Sequence, residues 1–322
     1  MQMETNDQIV VTVRDNFIYS TRRFMQRIAY YVLGPKIMSK VYYRIVMKSK
    51  LHLKNPVTFN EKINWYKLYY CPKDPLIISC SDKYTVREYL IQKGLDAHLA
   101  ELVGVWDDPN EIQWDLLPER FALKNSNGCG YNIICRNKAL LDEKTEKKRL
   151  KKWLKDKFGC YNAEPHYNIG PKKIICETYI DSGSRLPDDY KIHCMNGVAK
   201  VIQVCDERTS KTTRYTYFDT DGAPLCYGKS PSSTPIQVSQ ALLAEMVRIS
   251  NLVAVDFPYV RVDFFINKDH LQISELTFTP SAGLKPDLIY GGGDVEMGKM
   301  LDMEGMVSKY GKKDSVCGRD HR

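Results

Sequence analysis

Apolar residues recur along the chain at two spacings, which predict an alternation of helices and strands. Spacings of three to four residues predict helices in 17–32, 37–45, 58–70, 81–93, 143–157 and 238–253. Short apolar or alternating runs predict strands at 121–124, 133–135, 174–180, 190–195, 198–205, 215–218, 259–266 and 271–278. Hairpins such as the one over Asn196-Gly197, interspersed with helices, predict an α+β protein with mostly antiparallel sheets.

Local signals fix several helix ends. Thr58 and Glu61 form a capping box, which predicts a helix from there to about Tyr70. Ser81 is the expected start of the next helix, and Gly94 is its expected stop. In the helix 238–253 we expect Leu242, Met246, Ile249 and Val253 to face the core.

Composition narrows the class of protein. The 322 residues are 43% hydrophobic and 27% charged, which is ordinary for a globular chain and excludes disorder, collagen and a coiled coil. No apolar run approaches the ~18 residues of a membrane span. The start shows no secretory signal, and the ten cysteines include no C-x-x-C pair, so we expect reduced thiols in a cytoplasm. The expected organisation is 1–55 basic helical segment, 56–115 helical part, 116–180 and 181–310 two subdomains, and 311–322 tail.

The net charge of +8 is concentrated near the start of the chain. Residues 14–54 contain ten Lys or Arg and one acid, a net +9, so the rest of the chain sums to −1. Gly34-Pro35 divides this segment into two predicted amphipathic helices. Two interpretations stay open: contact with an anionic membrane surface or acidic polymer, or packing on the core with a solvated basic face. No readout motif accompanies the charge, so we expect no nucleic-acid partner.

The last predicted hairpin carries the densest candidate chemistry. Side chains alternate along a strand, so Arg261 and Asp263 share one face, as do Glu275 and Thr277 on the partner strand. One β-bulge would place Asp263 opposite Glu275. At ~5 Å and an effective dielectric of ~20 the two carboxylates would repel by roughly 3 kcal/mol, so a cation is needed. Mg²⁺ fits an oxygen donor set; an Arg–carboxylate network without metal is the alternative.

A second candidate is a lysine that precedes a glycine-containing turn. Lys124 ends the predicted strand 121–124, where a lysine is unexpected, and Gly128 and Gly130 follow in the turn. Backbone amides freed by glycine can hold phosphate, with the lysine adding positive charge. An ordinary glycine-rich β-turn is the alternative.

Read in order, these segments resemble ATP-grasp enzymes, and most closely the TupA-like ATP-grasp family linked to teichuronopeptide and other surface-polysaccharide biosynthesis. The resemblance covers roughly residues 50–290. It is carried by 56–62 and Trp65, 81–84, 117–124, Asn127-Gly128, 175–180, 189–193, Asn196-Gly197, 260–264 and 274–283.

The resemblance implies two α+β subdomains that clasp ATP, with Mg²⁺ as cofactor. The implied phosphate contacts are Lys83, Lys124, Gly128 and Gly130; the hinge and adenine contacts are Glu177, Tyr179 and Ile180; those near the ribose and phosphates are Asp189 and Lys191. The implied metal ligands are Asp263, Glu275 and Thr277, and the implied catalytic residues are Arg261 and Lys124. Many ATP-grasp ligases have Asn where this chain has Thr277, and a hydroxyl is the weaker Mg²⁺ ligand.

The implied chemistry is amide formation through an acyl phosphate. The expected partners are an amino acid or other amine and a uronic acid-containing glycan or its lipid-linked precursor, in the cytoplasm; peripheral contact with the inner membrane face through residues 14–54 stays open. Two rival functions stay open as well. One is a kinase of a sugar or glycan hydroxyl on the same fold, and the other is a non-catalytic protein that binds anionic glycan or a membrane surface.

Overall fold

The computed structural model describes residues 9–11, 17–179, 189–206, 213–267 and 270–310. The helices are α1 Phe17–Val46, α2 Phe59–Trp65, α3 Pro75–Cys80, α4 Val86–Gln92, α5 Glu143–Lys155, α6 Gln240–Ala254, α7 Gly293–Met300 and α8 Glu304–Tyr310. The strands are β1 Ile9–Val11, β2 Leu102–Trp106, β3 Phe121–Asn125, β4 Asn132–Cys135, β5 Ile174–Thr178, β6 Asp189–Met195, β7 Val198–Asp206, β8 Arg214–Phe218, β9 Pro224–Leu225, β10 Tyr259–Asn267 and β11 His270–Thr277.

The strands form two antiparallel sheets. The first has the order β1-β4-β3-β5-β2, and the second has the order β11-β10-β6-β7-β8-β9. All the strand pairings in the described ranges are antiparallel. The predicted α+β class with mostly antiparallel sheets is therefore confirmed.

Each sheet has its own apolar core. The first sheet packs Phe121, Leu123 and Ile133 against Leu150 and Trp153 of α5. The second packs its strands against α6, whose buried residues include Leu243, Met246, Ile249 and Val253. Leu242, expected to face the core, is only partly buried, and Leu243 takes its place.

Two predicted helix starts have different outcomes. The capping box is present: Thr58 accepts from the backbone N–H of Glu61, and α2 continues as a π-helical turn to Tyr70. The helix predicted from Ser81, however, begins only at Val86. The carboxylate of Asp82 accepts hydrogen bonds from the backbone N–H groups of residues 84 and 85, and this turn replaces the first helical turn.

The basic helix α1 is kinked where the sequence predicts a break. Gly34 has φ 75° and ψ 161°, so two helical halves meet at this residue. The second half packs on the core through Met38 and Tyr43. Two of the apolar residues whose spacing predicted these helices do not face the core but are exposed. Val32 is 75% exposed and Ile37 is 51% exposed. The second half thus matches the interpretation of a helix packed on the core with a solvated basic face, but other residues than Ile37 make the core contacts. No helix in the described ranges is both long and apolar enough to cross a bilayer.

Candidate active site

Three strands of the second sheet bring the predicted charged residues together. The paired positions across β6, β10 and β11 form two rungs, Lys191–Asp263–Glu275 and His193–Arg261–Thr277. The register of the β10–β11 pair shifts between Asp263 and Phe264. This irregularity is the predicted bulge, and it places Asp263 opposite Glu275 as expected.

Asp263 is the centre of a buried ion network. Arg261 donates to both of its oxygens, from Nε to Oδ1 and from Nη2 to Oδ2, each at 2.6 Å. Lys191 Nζ donates to Oδ2 at 2.8 Å and lies 3.0 Å from Oδ2 of Asp189. Burial alone raises the pKa of Asp263, but Arg261 and Lys191 outweigh it and hold the pKa below its usual value. The carboxylate is therefore ionised.

Glu275 is the open end of this ladder. Its Oε1 lies 3.6 Å from Nη2 of Arg261 and accepts a hydrogen bond from the Thr277 hydroxyl at 3.0 Å. The same hydroxyl accepts from Arg261 Nη2 at 3.1 Å. The Glu275 side chain is 34% exposed, whereas that of Asp263 is 1% exposed. Glu275 can therefore reach a ligand without leaving its strand.

Lys83 lies across from Arg261 and Glu275, beside the loop that follows β3. Its backbone N–H donates to the carbonyl of Ser126 at 2.8 Å. The Ser126 hydroxyl donates to Oδ2 of Asp82, which couples this turn to the loop after β3. Lys83 Nζ donates to the carbonyl of Gly128. The lysine thus holds the glycine loop through both its backbone and its side chain.

The loop itself requires glycine. Gly128 and Gly130 have φ of 86° and 84°, in the left-handed region. A Cβ on Gly128 would lie 2.8 Å from Cγ of Phe158, so a side chain would collide with the neighbouring ring. Cys129 is exposed between the two glycines. The loop can therefore present backbone N–H groups closely to a ligand.

The two walls face each other across one cavity of about 210 Å³. Five predicted residues line it: Lys83, Gly128, Arg261, Glu275 and Thr277. Sequence reasoning had assigned no role to others that line it: Glu164, Tyr167, Thr279 and Ser281. The segment 274–283 carried part of the resemblance, which was a signal for the last two. For Glu164 and Tyr167 the sequence offered none.

A buried lysine supports the floor of this cavity. Lys67 Nζ donates to the carbonyls of Ala282, at 2.9 Å, and Asn162, at 3.2 Å. Glu164 accepts from the Thr279 hydroxyl at 2.5 Å. Burial raises the pKa of Glu164 above its ordinary value and lowers that of Lys67. Burial therefore favours the neutral form of a carboxyl group that lines the cavity.

Other predicted residues lie outside this cavity, in the first sheet. Lys124 pairs with Glu177 on the adjacent strand, and Arg87 Nη1 lies 3.6 Å from that carboxylate. The Tyr179 hydroxyl accepts from Arg136 Nε at 3.1 Å. Ile180 is outside the described residues. Lys124, Glu177 and Tyr179 do not line the cavity in the described part of the chain.

The donor set fits Mg²⁺ better than a transition metal. Among the residues the structure describes, no group of three or more His, Cys, Asp and Glu side chains could hold a metal. Glu275 and Thr277 line the cavity with a carboxylate and a hydroxyl. The buried Asp263 does not line it, and it could add a second carboxylate only by giving up a bond to Arg261 or Lys191. Mg²⁺ is commonly held by one or two carboxylates together with substrate phosphates. A nucleotide in the cavity would complete such a site.

A comparison of the chain with models of known protein families identifies its family. Residues 61–299 match the family model described as TupA-like ATPgrasp. The chain belongs to the TupA-like ATP-grasp family. The predicted fold and ATP-grasp enzyme class are confirmed, and ATP and Mg²⁺ are the cofactors of this family. A search of the curated proteins finds no match.

Several solved structures are similar to this TupA-like chain. The D-alanine–D-alanine ligase from Helicobacter pylori is 15% identical, with a TM-score of 0.44, over 76% of this chain and 69% of that one. The D-alanine–D-alanine ligase from Bacillus anthracis complexed with ATP is 12% identical, with a TM-score of 0.42, over 72% and 68%. The ATP-grasp ligase PsnB complexed with a minimal precursor is 13% identical, with a TM-score of 0.40; the match covers 71% of this chain and 62% of PsnB.

Proposed function

We propose that this TupA-like protein is an ATP- and Mg²⁺-dependent carboxylate–amine ligase that joins an amino acid to a uronic acid of a surface polysaccharide or its precursor. The observation that carries the proposal is the cavity between two charged walls. Lys83 and the Gly128 loop stand on one side, and Arg261 and Glu275 stand on the other. Such a cavity can neutralise a nucleotide phosphate from both sides.

The nucleotide contacts we propose are those expected from the sequence. Phosphates would be held by Lys83, Lys124, Gly128 and Gly130, the adenine side by Glu177, Tyr179 and Ile180, and the ribose side by Asp189 and Lys191. Asp263, Glu275 and Thr277 would hold Mg²⁺, which supplies charge neutralisation. Arg261 lies against Asp263 and Glu275, so its positive charge is fixed beside the reacting phosphate.

The reaction consists of two transfers. A carboxylate oxygen of the uronic acid forms a bond to the γ-phosphorus of ATP as the bond to ADP breaks. The amine nitrogen then forms a bond to the carbonyl carbon while the bond from that carbon to the phosphate oxygen breaks. Phosphate leaves with the electron pair and takes up the proton that the nitrogen loses. The ammonium group of the amino acid must first lose a proton, and the carboxylate of Glu164 is the acceptor that we propose. The hydroxyl of Thr279 and the carboxyl of Glu164 line the cavity where this amine would lie.

The charge of residues 14–54 supports an anionic acceptor. This segment carries +9 while the rest of the chain sums to −1. A uronic acid polymer carries one negative charge per residue, and this localised charge would attract it over a distance, whichever surface α1 itself contacts. The particular sugar and amino acid are not specified by these contacts.

The first experiment is a calorimetric titration of ATP with and without Mg²⁺. Binding should depend on Mg²⁺, and Glu275→Gln should weaken it at least ~tenfold because one metal ligand is lost. Glu296→Gln is the matched control, since Glu296 is an exposed glutamate that pairs with Lys299 outside the cavity. Equal Mg²⁺-dependent affinities in Glu275→Gln and wild type would contradict the metal assignment.

A hydroxylamine trap then separates a ligase from a kinase. With ATP and a uronic acid, an acyl phosphate gives a hydroxamate and free phosphate. A kinase of a sugar hydroxyl would form ADP and a stable phosphate ester, with neither free phosphate nor hydroxamate. The second result would overturn the ligase proposal in favour of the kinase.

A further inference from the structure

The first half of α1 is docked on the protein by its polar face. Arg23 Nη1 donates to Asp156 Oδ2 at 2.9 Å, and its guanidinium lies 4.3 Å from the centre of the Tyr161 ring. Gln26 Nε2 donates to the carbonyl of Tyr161 at 3.1 Å. Tyr30, one turn further along, is half-buried on the same face. The side that a globular protein normally turns to water is here turned to the protein.

The apolar face of the same half points away from the protein. Met25, Ile28 and Val32 each follow a docked residue by two positions, which is ~200° around a helix. Their exposed fractions are 57%, 41% and 75%. Other large apolar side chains of this half are also exposed, namely Ile18, Phe24 and Tyr31. The helix is therefore amphipathic in the inverted sense.

The second half of α1 also exposes a row of apolar side chains, and this row runs beside a basic stripe. Ile37, Val41 and Ile45 lie one turn apart and are 51%, 44% and 57% exposed. Each follows a basic residue by one position: Lys36, Lys40 and Arg44. All three basic residues are exposed. Exposed apolar and basic stripes thus run side by side.

Charge and apolarity together identify the occupant. Residues 17–54 contain nine Lys or Arg and no acid. A second copy of this face would bring like charges together, and a glycan would match the charge but leave the apolar side chains in water. An anionic lipid surface satisfies both, because acyl chains take the apolar stripe while lysine and arginine reach the headgroups.

We propose that α1 is a membrane-docking helix that lies in the headgroup region of an anionic phospholipid bilayer, with its apolar stripe inserted and its basic residues at the surface. The proposal does not depend on the chemistry in the cavity. If both hold, the enzyme meets its acceptor at a membrane.

The test measures binding of the full chain to vesicles of phosphatidylglycerol and phosphatidylcholine, against vesicles of phosphatidylcholine alone. Wild type should partition onto the anionic vesicles at least ~tenfold more strongly, and salt should weaken this binding. The triple variant Met25→Gln, Ile28→Gln, Val32→Gln should lose at least ~tenfold of it. The matched control is Ile91→Gln, Val255→Gln, Ile289→Gln, which removes three exposed apolar side chains elsewhere and should bind as wild type.

A second variant reports insertion directly. Val32→Trp adds a tryptophan whose fluorescence should shift to the blue on anionic vesicles and be quenched by lipids brominated in the acyl chains. The fluorescence that Val255→Trp adds should not change. Circular dichroism and urea denaturation, neither of which depends on ATP binding, show that each variant is folded.

Three results would overturn the proposal. One is unchanged vesicle binding by the triple variant. Another is equal binding of wild type and the triple variant to soluble polygalacturonate without vesicle binding, which would make the surface a glycan site. The third is a dimer that only the triple variant dissociates, without vesicle binding, which would make it a self-association surface.

Discussion

The two walls of the cavity are built differently. The wall on the second sheet is a ladder of ionised side chains on adjacent strands, and Asp263 at its centre has no exposed surface. The wall on the first sheet is a loop of two left-handed glycines held by Lys83, with Cys129 exposed at its tip. The first is fixed by buried ion pairs, whereas the second is fixed by hydrogen bonds of buried Ser126 and Asp82 and by one from the Lys83 side chain.

This difference separates two roles. The buried Arg261–Asp263–Lys191 pairs hold charge at a set position, so they are already arranged for the charge that develops on a phosphate. A glycine loop offers backbone N–H groups and can adjust around the ligand. We therefore expect substitutions in the ladder to change stability and activity together, and substitutions in the loop to affect mainly nucleotide binding.

The largest expected effect comes from Asp263→Asn. Arg261 and Lys191 would remain buried without their shared counter-charge, so the free energy of unfolding should fall by ~3–5 kcal/mol. Urea denaturation measures this change. Asp107→Asn is the control, because Asp107 is 74% exposed and pairs only at the surface with Lys173, so its cost should stay within ~0.5 kcal/mol. Equal costs for the two variants would show that the ladder does not stabilise the fold.

The next effect is a pH dependence that arises from His193, which pairs across the sheet with Arg261. Burial, and then the Arg261 charge, lower the pKa of His193 to about 3. The unfolded state therefore binds a proton that the folded state rejects, and stability is lost as the pH falls below ~6.5, by ~2–3 kcal/mol at pH ~4.5.

The measurement that isolates this effect compares His193→Gln with wild type. Chemical denaturation at several pH values should show a smaller acid loss in the variant, and the difference cancels the carboxylates common to both proteins. Parallel curves would assign the acid loss to other groups.

A smaller effect is expected in the loop. Gly128→Ala forces a side chain into φ 86° and against Phe158, so it should cost ~1–2 kcal/mol and weaken ATP binding. Gly305→Ala in α8 is the control, since its added Cβ meets nothing within 4 Å and should be neutral or slightly stabilising. If Gly128→Ala bound ATP as wild type does, the loop would not approach the phosphates.

The mildest test leaves the sequence unchanged. Cys129 is exposed at the tip of the loop and lines the cavity, whereas Cys226 is exposed outside it. Mg²⁺·ATP should slow alkylation of Cys129 at least ~tenfold and leave Cys226 unaffected. Peptide mass spectrometry follows both thiols in one sample. Equal rates with and without nucleotide would place ATP away from this loop.

The hairpin chemistry could be predicted because it is local. Alternation along β10 and β11 fixes which side chains share a face, and a single bulge accounts for Asp263 opposite Glu275. The glycines of the loop were likewise readable, because a positive φ is a property of one residue. The rung that adds Lys191 needed the β6–β10 pairing, which the hairpin alone does not specify.

The cavity floor could not be predicted. Lys67 reaches the carbonyl of Ala282, 215 residues away, and Glu164 receives the hydroxyl of Thr279, 115 residues away. No spacing rule links such positions, because they meet only through the tertiary packing of elements far apart in the chain. The start of α4 at Val86 rather than Ser81 has the same origin. The carboxylate of Asp82 accepts a hydrogen bond from the hydroxyl of Ser126, which is far away in the sequence.

The sequence by itself determined that α1 is helical, basic and broken at Gly34, because periodicity, charge and a glycine's φ are properties of the local chain. Only the tertiary structure decided which side of that helix meets the protein. Arg23 bonds to the partly buried Asp156 and Gln26 bonds to the backbone of the buried Tyr161, so Met25 and Val32 lie on the outward side. Amphipathic spacing shows that a helix has two faces, but the partner that covers each face lies elsewhere in the chain or outside it.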